Sequence, residues 1–309
     1  VNAIYSYILT SSEIQKISNN IFKLLTVNSN KKNADINEKD ILLITYADTI
    51  KSKKNKPLTI LNDFLKNFIK NSINIVHILP YYPSSSDGGF AVIDFFKVDS
   101  KYGNWSDLKK ISKSYKIMSD IVLNHASSKS IWFKNFLKGN GKGKDYFLYY
   151  NKDINTKNVT RARSHKLIQK FDTNKGKKYV WCTFSKDQVD FDFKNPDVLI
   201  VFIKLILFLQ NKGIDFFRFD AVAFIWKRLD TSCINLDQTH AIVRLFRTIL
   251  SFSNKTSKII TETNLPFHEN LSYFGNSDQA DIIYNFSLAP LIINTLIKGN
   301  SAAFRRWSM

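Results

Sequence analysis

Three short segments, each ending what patterns as a buried strand, carry acids and bases in one consistent order. They are Asp120-Ile-Val-Leu-Asn-His125, Gly213-Ile-Asp-Phe-Phe-Arg-Phe-Asp220 and Lys258-Ile-Ile-Thr-Glu262-Thr-Asn264. Arg218 stands two positions before Asp220. Side chains alternate along a strand, so the two point to the same side, where the guanidinium can hold the carboxylate ionised. An ionised Asp beside a second carboxyl group suits retaining glycoside chemistry, which needs one nucleophile and one proton donor.

Such groups need strands to aim them, and apolar runs alternate with helical patterns along the chain. That alternation predicts βα units and a parallel sheet. Strands are expected at 41–46, 75–79, 117–123, 214–219, 258–262 and 281–285, the first of them buried. Helices are expected at 11–27, 58–71, 105–115, 197–211 and 238–253. The helix at 11–27 shows Ile14, Ile17 and Ile21 on one face, and Pro80 stops the second strand. The turn Ser84-Ser-Ser-Asp87-Gly-Gly89 leaves that strand's C-terminal end. Residues 126–192 break the alternation, with Gly139-Asn-Gly-Lys-Gly143, Arg161-Ala-Arg163 and a strand at 178–184. A structureless loop of that length is unusual, so the stretch reads as an inserted subdomain. It leaves the C-terminal side of the third strand, the face where catalytic loops gather in an α/β barrel.

Composition permits this and excludes some alternatives. A chain of 309 residues, 44% hydrophobic with 25 Phe, has material for a large core. Cys182 and Cys233 lack metal-ligand spacing, so packed, reduced thiols are expected, in keeping with a reducing, cytoplasmic compartment. No run is apolar enough for a membrane span, Val198–Leu209 being interrupted by Lys204. The net charge of +19 suggests nucleic-acid binding, yet the lysines are scattered and the densest cluster, Lys51–Lys56, sits in a polar loop. No nucleic-acid or membrane partner is expected, and a mild attraction for anionic substrates remains open.

The order of motifs resembles glycoside hydrolase family 13, the α-amylase superfamily, and within it the sucrose phosphorylase branch and its glucosylglycerate phosphorylase-like members. The resemblance is carried by Leu43-Ile-Thr-Tyr-Ala-Asp48, Val76-His-Ile-Leu-Pro-Tyr-Tyr-Pro-Ser-Ser-Ser-Asp-Gly-Gly-Phe90, Val180-Trp-Cys-Thr-Phe-Ser-Lys-Asp-Gln-Val-Asp190, Thr231-Ser-Cys233 and Tyr284-Asn-Phe-Ser-Leu-Ala-Pro290, and spans roughly 40–309. It implies an α/β fold of the (β/α)8 TIM-barrel type. The expected divisions are an N-terminal helical segment 1–39, a first barrel part 40–125, subdomain B at 126–192 and a barrel continuation 193–309.

Roles follow at matched positions. The resemblance implies Asp220 as nucleophile and Glu262 as acid/base. It implies Arg218 orienting Asp220, His125 and Asp87 holding sugar hydroxyls, Asp120 bracing the site from strand three, and Phe90 and Phe184 as apolar walls. Arg163 matches an arginine that can face phosphate, and Gln188 lines the same cleft. Plainer readings stand beside these: a structural ion pair for Asp220 and Arg218, a turn residue for Asp87, a surface pair for Arg161 and Arg163, and core packing for the two Phe. The implied substrates are a small α-glucoside and inorganic phosphate, with α-glucose 1-phosphate as product and no cofactor or metal. A hydrolase or transglycosylase of the same fold, or an inactive fragment, are the alternatives.

The family pattern also has a His-Asp pair at the end of strand seven, and no His-Asp dipeptide occurs here. The expectation is therefore a C-terminally truncated arc of six βα units with open edges at 41–46 and 281–285, and little turnover.

Overall fold

The computed structural model describes residues 1–25 and 36–308. The chain opens with α1 (Asn2–Tyr5) and α2 (Ser11–Phe22). Thr10 and Glu13 cap α2 reciprocally, each side chain bonding the other's backbone N–H, which satisfies two otherwise orphaned donors. The helix expected over 11–27 ends earlier, and residues 26–27 of it lie outside the described residues. Then come β1 (Leu42–Thr45), α3 (Pro57–Phe64) and β2 (Ile75–Ile78). A π-helical turn, Leu65–Ile69, carries on from α3 toward the expected end at residue 71. Next are α4 (Trp105–Ile111), capped by Asn104 and shorter than expected, and β3 (Lys116–Val122).

Between β3 and the next long helix lie β4 (His125–Ser127), α5 (Ile131–Lys138), β5 (Tyr149–Tyr150), β6 (Ile168–Thr173), β7 (Gly176–Trp181) and β8 (Gln188–Asp190). They form two small antiparallel sheets, β4-β8 and β5-β7-β6. The series resumes with α6 (Pro196–Asn211), β9 (Ile214–Asp220), α7 (Asp237–Ser253), β10 (Lys258–Thr261), α8 (Phe267–Leu271), β11 (Ile282–Ile283), α9 (Leu288–Lys298) and α10 (Ala302–Ser308).

Six strands pair in parallel in the order β1-β2-β3-β9-β10-β11, a curled half-barrel. The outer face packs on the apolar faces of α6 and α7, where Phe202, Ile206, Ile242 and Phe246 are buried. The concave face is built in layers by the two-residue strand period. Ile75, Met118, Phe216 and Ile260 cluster at its base. The next inward positions on the same strands are His77, Asp120, Arg218 and Glu262, and one further step along β9 is Asp220. An apolar layer therefore supports a charged one.

The two edges are open among the described residues. β1 is the open edge expected at 41–46, and for that reason it is not the buried strand its apolar run suggested: Ile41 is 53% and Ile44 51% exposed. On the far side, α9 buries none of its residues, and Leu296 and Ile297 are 76% and 80% exposed. No helix among the described residues is long and apolar enough to cross a membrane.

Candidate active site

The charged layer begins at the buried end. Asp120, fully buried, takes a hydrogen bond from His77 Nε2 at 2.8 Å on one oxygen and a short one from Arg218 Nη1 on the other. The same Arg218 nitrogen donates to Asp220 Oδ1 at 2.9 Å. The strand registers place this trio, since Asp120 pairs with Arg218 and Val122 with Asp220 across β3 and β9. Arg218 is further held between two rings, its guanidinium carbon 5.7 Å from the centre of Phe90 and 5.3 Å from that of Tyr284. Such contacts suit a cation taken out of water.

Glu262 follows β10. Its Oε2 accepts from the backbone N–H of Ala221 at 3.0 Å, the residue immediately after Asp220. Ala221 has φ +48°, a left-handed conformation that costs a non-glycine residue roughly 1 kcal/mol or more. The turn that aims this N–H at Glu262 therefore stores strain between the two carboxyl groups.

Burial pushes the Asp220 carboxyl up to about 7; Arg218 opposes the rise, while Glu262 and Asp120 add to it. The sequence suggested that Arg218 would hold Asp220 ionised. The guanidinium is in contact and acts in that direction, but desolvation of a buried carboxylate outweighs one shared cation. Asp220 is thus poised near neutrality.

Above these groups opens a cavity of about 500 Å3. Every site residue expected from sequence lines it, namely Asp87, Phe90, His125, Arg163, Phe184, Gln188, Arg218, Asp220 and Glu262, save Asp120, which lies beneath. His125 reaches it from β4, and Gln188 from β8, the antiparallel partner of β4. Asp87 comes from the turn after β2, at φ +56°, and accepts from Gln188 Nε2 at 2.7 Å. A Cβ on Gly89 would stand 2.7 Å from the Pro80 carbonyl oxygen, so this turn closes only with glycine there. Phe184 lies 5.3 Å from the His125 ring, and the Arg163 guanidinium sits 5.9 Å above Phe184. Arg161 lines the same mouth. Among the described residues, no group of His, Cys, Asp or Glu is arranged to hold a metal ion.

Several supporting residues were not singled out from sequence. His77 received no role, yet it buttresses Asp120. Asp187 collects the hydroxyls of Ser85 (2.5 Å), Ser86 (2.6 Å), Ser128 (2.7 Å) and Ser127 (3.2 Å), which ties the Asp87 turn to the loop before β8. Partial burial pushes its carboxyl up, but the serine hydroxyls outweigh that and hold it below its usual value. Lys227 and Asp190 form a buried ion pair at 2.6 Å behind His125. The sequence hardly marks this lysine: Lys227 follows the apolar run Val222-Ala-Phe-Ile-Trp226 but is itself followed by Arg228, so the pair reads as an ordinary charged end to the run.

Comparison with known proteins adds relatives to this geometry. The alpha amylase catalytic domain matches residues 63–306. Glucosylglycerate phosphorylase of Spirochaeta thermophila is 41% identical over 269 residues, covering 87% of this chain and 46% of that protein. Glucosylglycerate phosphorylase of Escherichia coli is 38% identical over 312 residues, covering 100% of this chain and 56% of that protein. The chain thus spans about half the length of the curated relatives it matches. Among solved structures, sucrose 6F-phosphate phosphorylase from Thermoanaerobacter thermosaccharolyticum superposes with a TM-score of 0.76 at 26% identity, over 86% of this chain and 56% of that one.

Proposed function

Because the chain belongs to the alpha amylase catalytic-domain family, we propose that it carries the donor half of a retaining phosphorylase acting on small α-glucosides. The reading rests on one observation: Asp220 and Glu262 open into the same cavity, linked through the Ala221 N–H, with Arg218 beneath. Asp220 attacks the anomeric carbon as the bond to the leaving oxygen breaks, and Glu262 gives that oxygen its proton. A glucosyl ester on Asp220 results. Glu262 then takes a proton from phosphate, a phosphate oxygen attacks the anomeric carbon, and the ester bond breaks to give α-glucose 1-phosphate with net retention.

Around this centre Asp87, His125 and Gln188 bind sugar hydroxyls, Phe90 and Phe184 form apolar walls, and Asp120 holds Arg218 in place. Arg163, with a guanidinium at the cavity mouth, takes the phosphate, because its forked donors match a tetrahedral oxyanion. The names of the relatives and the Ser-Ser-Asp-Gly-Gly-Phe turn favour glucosylglycerate over sucrose as the glucosyl donor. The buried free cysteines Cys182 and Cys233 accord with a cytoplasmic setting.

The test is to incubate the protein, in a version completed with strands seven and eight, with glucosylglycerate, with and without phosphate. Glucose 1-phosphate is expected only when phosphate is present, and Arg163→Ala should raise the phosphate KM more than it lowers kcat. Equal release of free glucose without phosphate replaces this reading with a hydrolase.

A further inference from the structure

Behind His125, on the side away from the cavity, lies a buried polar cluster that the reaction leaves unused. Lys227 is 4% exposed, and Asn124 and Asp190 are fully buried. Lys227 Nζ donates to Asn124 Oδ1 at 2.6 Å and contacts Asp190 Oδ2 at 2.6 Å. Asn124 Nδ2 donates to that same Asp190 oxygen at 2.9 Å. Thr183 supplies two more donors to Asp190, from its backbone N–H at 2.9 Å and its hydroxyl at 2.5 Å. Lys227 follows β9, Asn124 follows β3 and Asp190 lies in β8. One ammonium therefore ties together the segments that carry Asp220, His125 and Gln188.

Donor and acceptor chemistry carries this further. An ammonium offers only donors and a carboxylate only acceptors. Asn124 must turn its oxygen to Lys227 and its nitrogen to Asp190, because the flipped amide meets each with the wrong group. That nitrogen then stands 3.4 Å from His125 Nδ1, and a donor facing Nδ1 leaves it as the lone-pair nitrogen. On the cavity side the contacts are divided. The Phe90 carbonyl lies 3.2 Å from His125 Nε2, where it would accept a hydrogen bond from an Nε2–H. Gln188 Nε2, turned nitrogen-first by Asp87, lies 3.0 Å from the same atom. The inner contact decides between them.

We infer that Lys227, acting through Asn124, holds His125 as the neutral Nε2–H tautomer, so that the ring presents a donor and no lone pair to whatever hydroxyl enters the cavity. Lys227 is a positioning residue and does not line the cavity. The charged groups facing His125 agree with neutrality. Burial pushes its pKa down to about 4; Asp190 and Asp87 pull upward, and Lys227 pushes further down. A second consequence concerns Gln188, whose remaining amide hydrogen finds no acceptor on His125 and is free for substrate. The inference rests on the proposed function only in taking the cavity as a sugar site; the tautomer itself does not depend on turnover.

The experiment is 15N NMR of the histidine-labelled protein, in solution or in the solid, with His125→Gln giving the assignment. At neutral pH the His125 proton is expected on Nε2, in roughly tenfold excess over the Nδ1–H form, a ratio that one net hydrogen bond sustains. An Nδ1–H ring or an imidazolium overturns the inference. Lys227→Met strands the Asp190 carboxylate and is liable to misfold. The paired variant Lys227→Met with Asp190→Asn removes both charges together and is the second arm. There Asn124 is released, and the Nδ1–H form should rise to a readily measured share. A ring that stays purely Nε2–H in that variant shows that Phe90 alone sets the tautomer and refutes the role of Lys227. Loss of glucosyl transfer with the tautomer intact refutes the functional reading and leaves this one standing.

Discussion

Ionising Asp220 inside the folded protein is uphill, and that makes the residue a stability probe as well as a reactive group. Burial raises its carboxyl from 3.8 to about 7, against Arg218 and with Glu262 and Asp120 contributing to the rise. A carboxyl with a folded value above its unfolded one binds its proton more tightly in the native state. Its contribution is therefore neutral at acid pH, grows more unfavourable as pH climbs from about 4 to about 7, and is constant above that. About three units at 1.36 kcal/mol each amount to a cost on the order of 4 kcal/mol in the ionised state. Asp220→Asn removes the ionisation while keeping the shape, and Arg218 retains Asp120 as its partner. The variant should lose glucosyl transfer. It should also be more stable than the parent by up to about 4 kcal/mol near pH 8.5, shrinking to under about 1 kcal/mol near pH 4. Urea denaturation of both proteins across that range measures the difference. An Asn variant that is less stable at alkaline pH, or a gap that does not change with pH, refutes the account of Asp220 as a carboxyl held near neutrality by burial.

Two further outcomes are expected. Glu262→Gln removes the proton donor but keeps the acceptor for the Ala221 N–H, so turnover of a poor leaving group should fall about 10²- to 10⁴-fold, whereas a glucoside with an acidic leaving group should still acylate Asp220; equal losses on both substrates argue against the acid/base role. The uncovered α9 face, with Leu296 and Ile297 in water, should drive concentration-dependent association. Leu296→Lys with Ile297→Lys should weaken it in sedimentation velocity, and parent and variant sedimenting alike at all concentrations would count against that face.

What could be read in the sequence followed from local periodicity and from side chains with few alternative uses. The Arg218–Asp220 spacing on a strand determined that both face inward, and the apolar runs located all six sheet strands. The resemblance brought Asp87, His125, Gln188 and Arg163 to one cavity from segments far apart in the chain. What stayed hidden depends on contacts between distant segments. His77 and Asp120 meet because β2 and β3 are neighbours, and nothing in Val76-His-Ile distinguishes a buttress from a core histidine. Lys227 finds Asn124 and Asp190 only once the β3, β8 and β9 ends converge. The pull of burial on Asp220 stayed hidden for a related reason: spacing reveals the nearby cation, whereas burial, the larger influence, emerges only from the packed cavity.

Strain and buried charge converge on the same few residues, and the surrounding structure explains why they persist. Ala221 and Asp87 both occupy left-handed conformations, each worth roughly 1–3 kcal/mol when forced on a non-glycine residue, and Asp220 adds the cost of a desolvated carboxylate. None of these relaxes, because each is held from more than one side. Ala221 is held by Glu262 through its N–H and by the chain leaving β9. Asp87 is held by Gln188 directly and by the serines that Asp187 gathers from either side of the cleft. Asp220 is held by an arginine that is itself fixed to Asp120 and set between Phe90 and Tyr284. Tyr284 follows β11, the edge strand of the sheet among the described residues. Arg218 therefore has its buried partners on the paired side of the half-barrel and one of its two rings on the uncovered side.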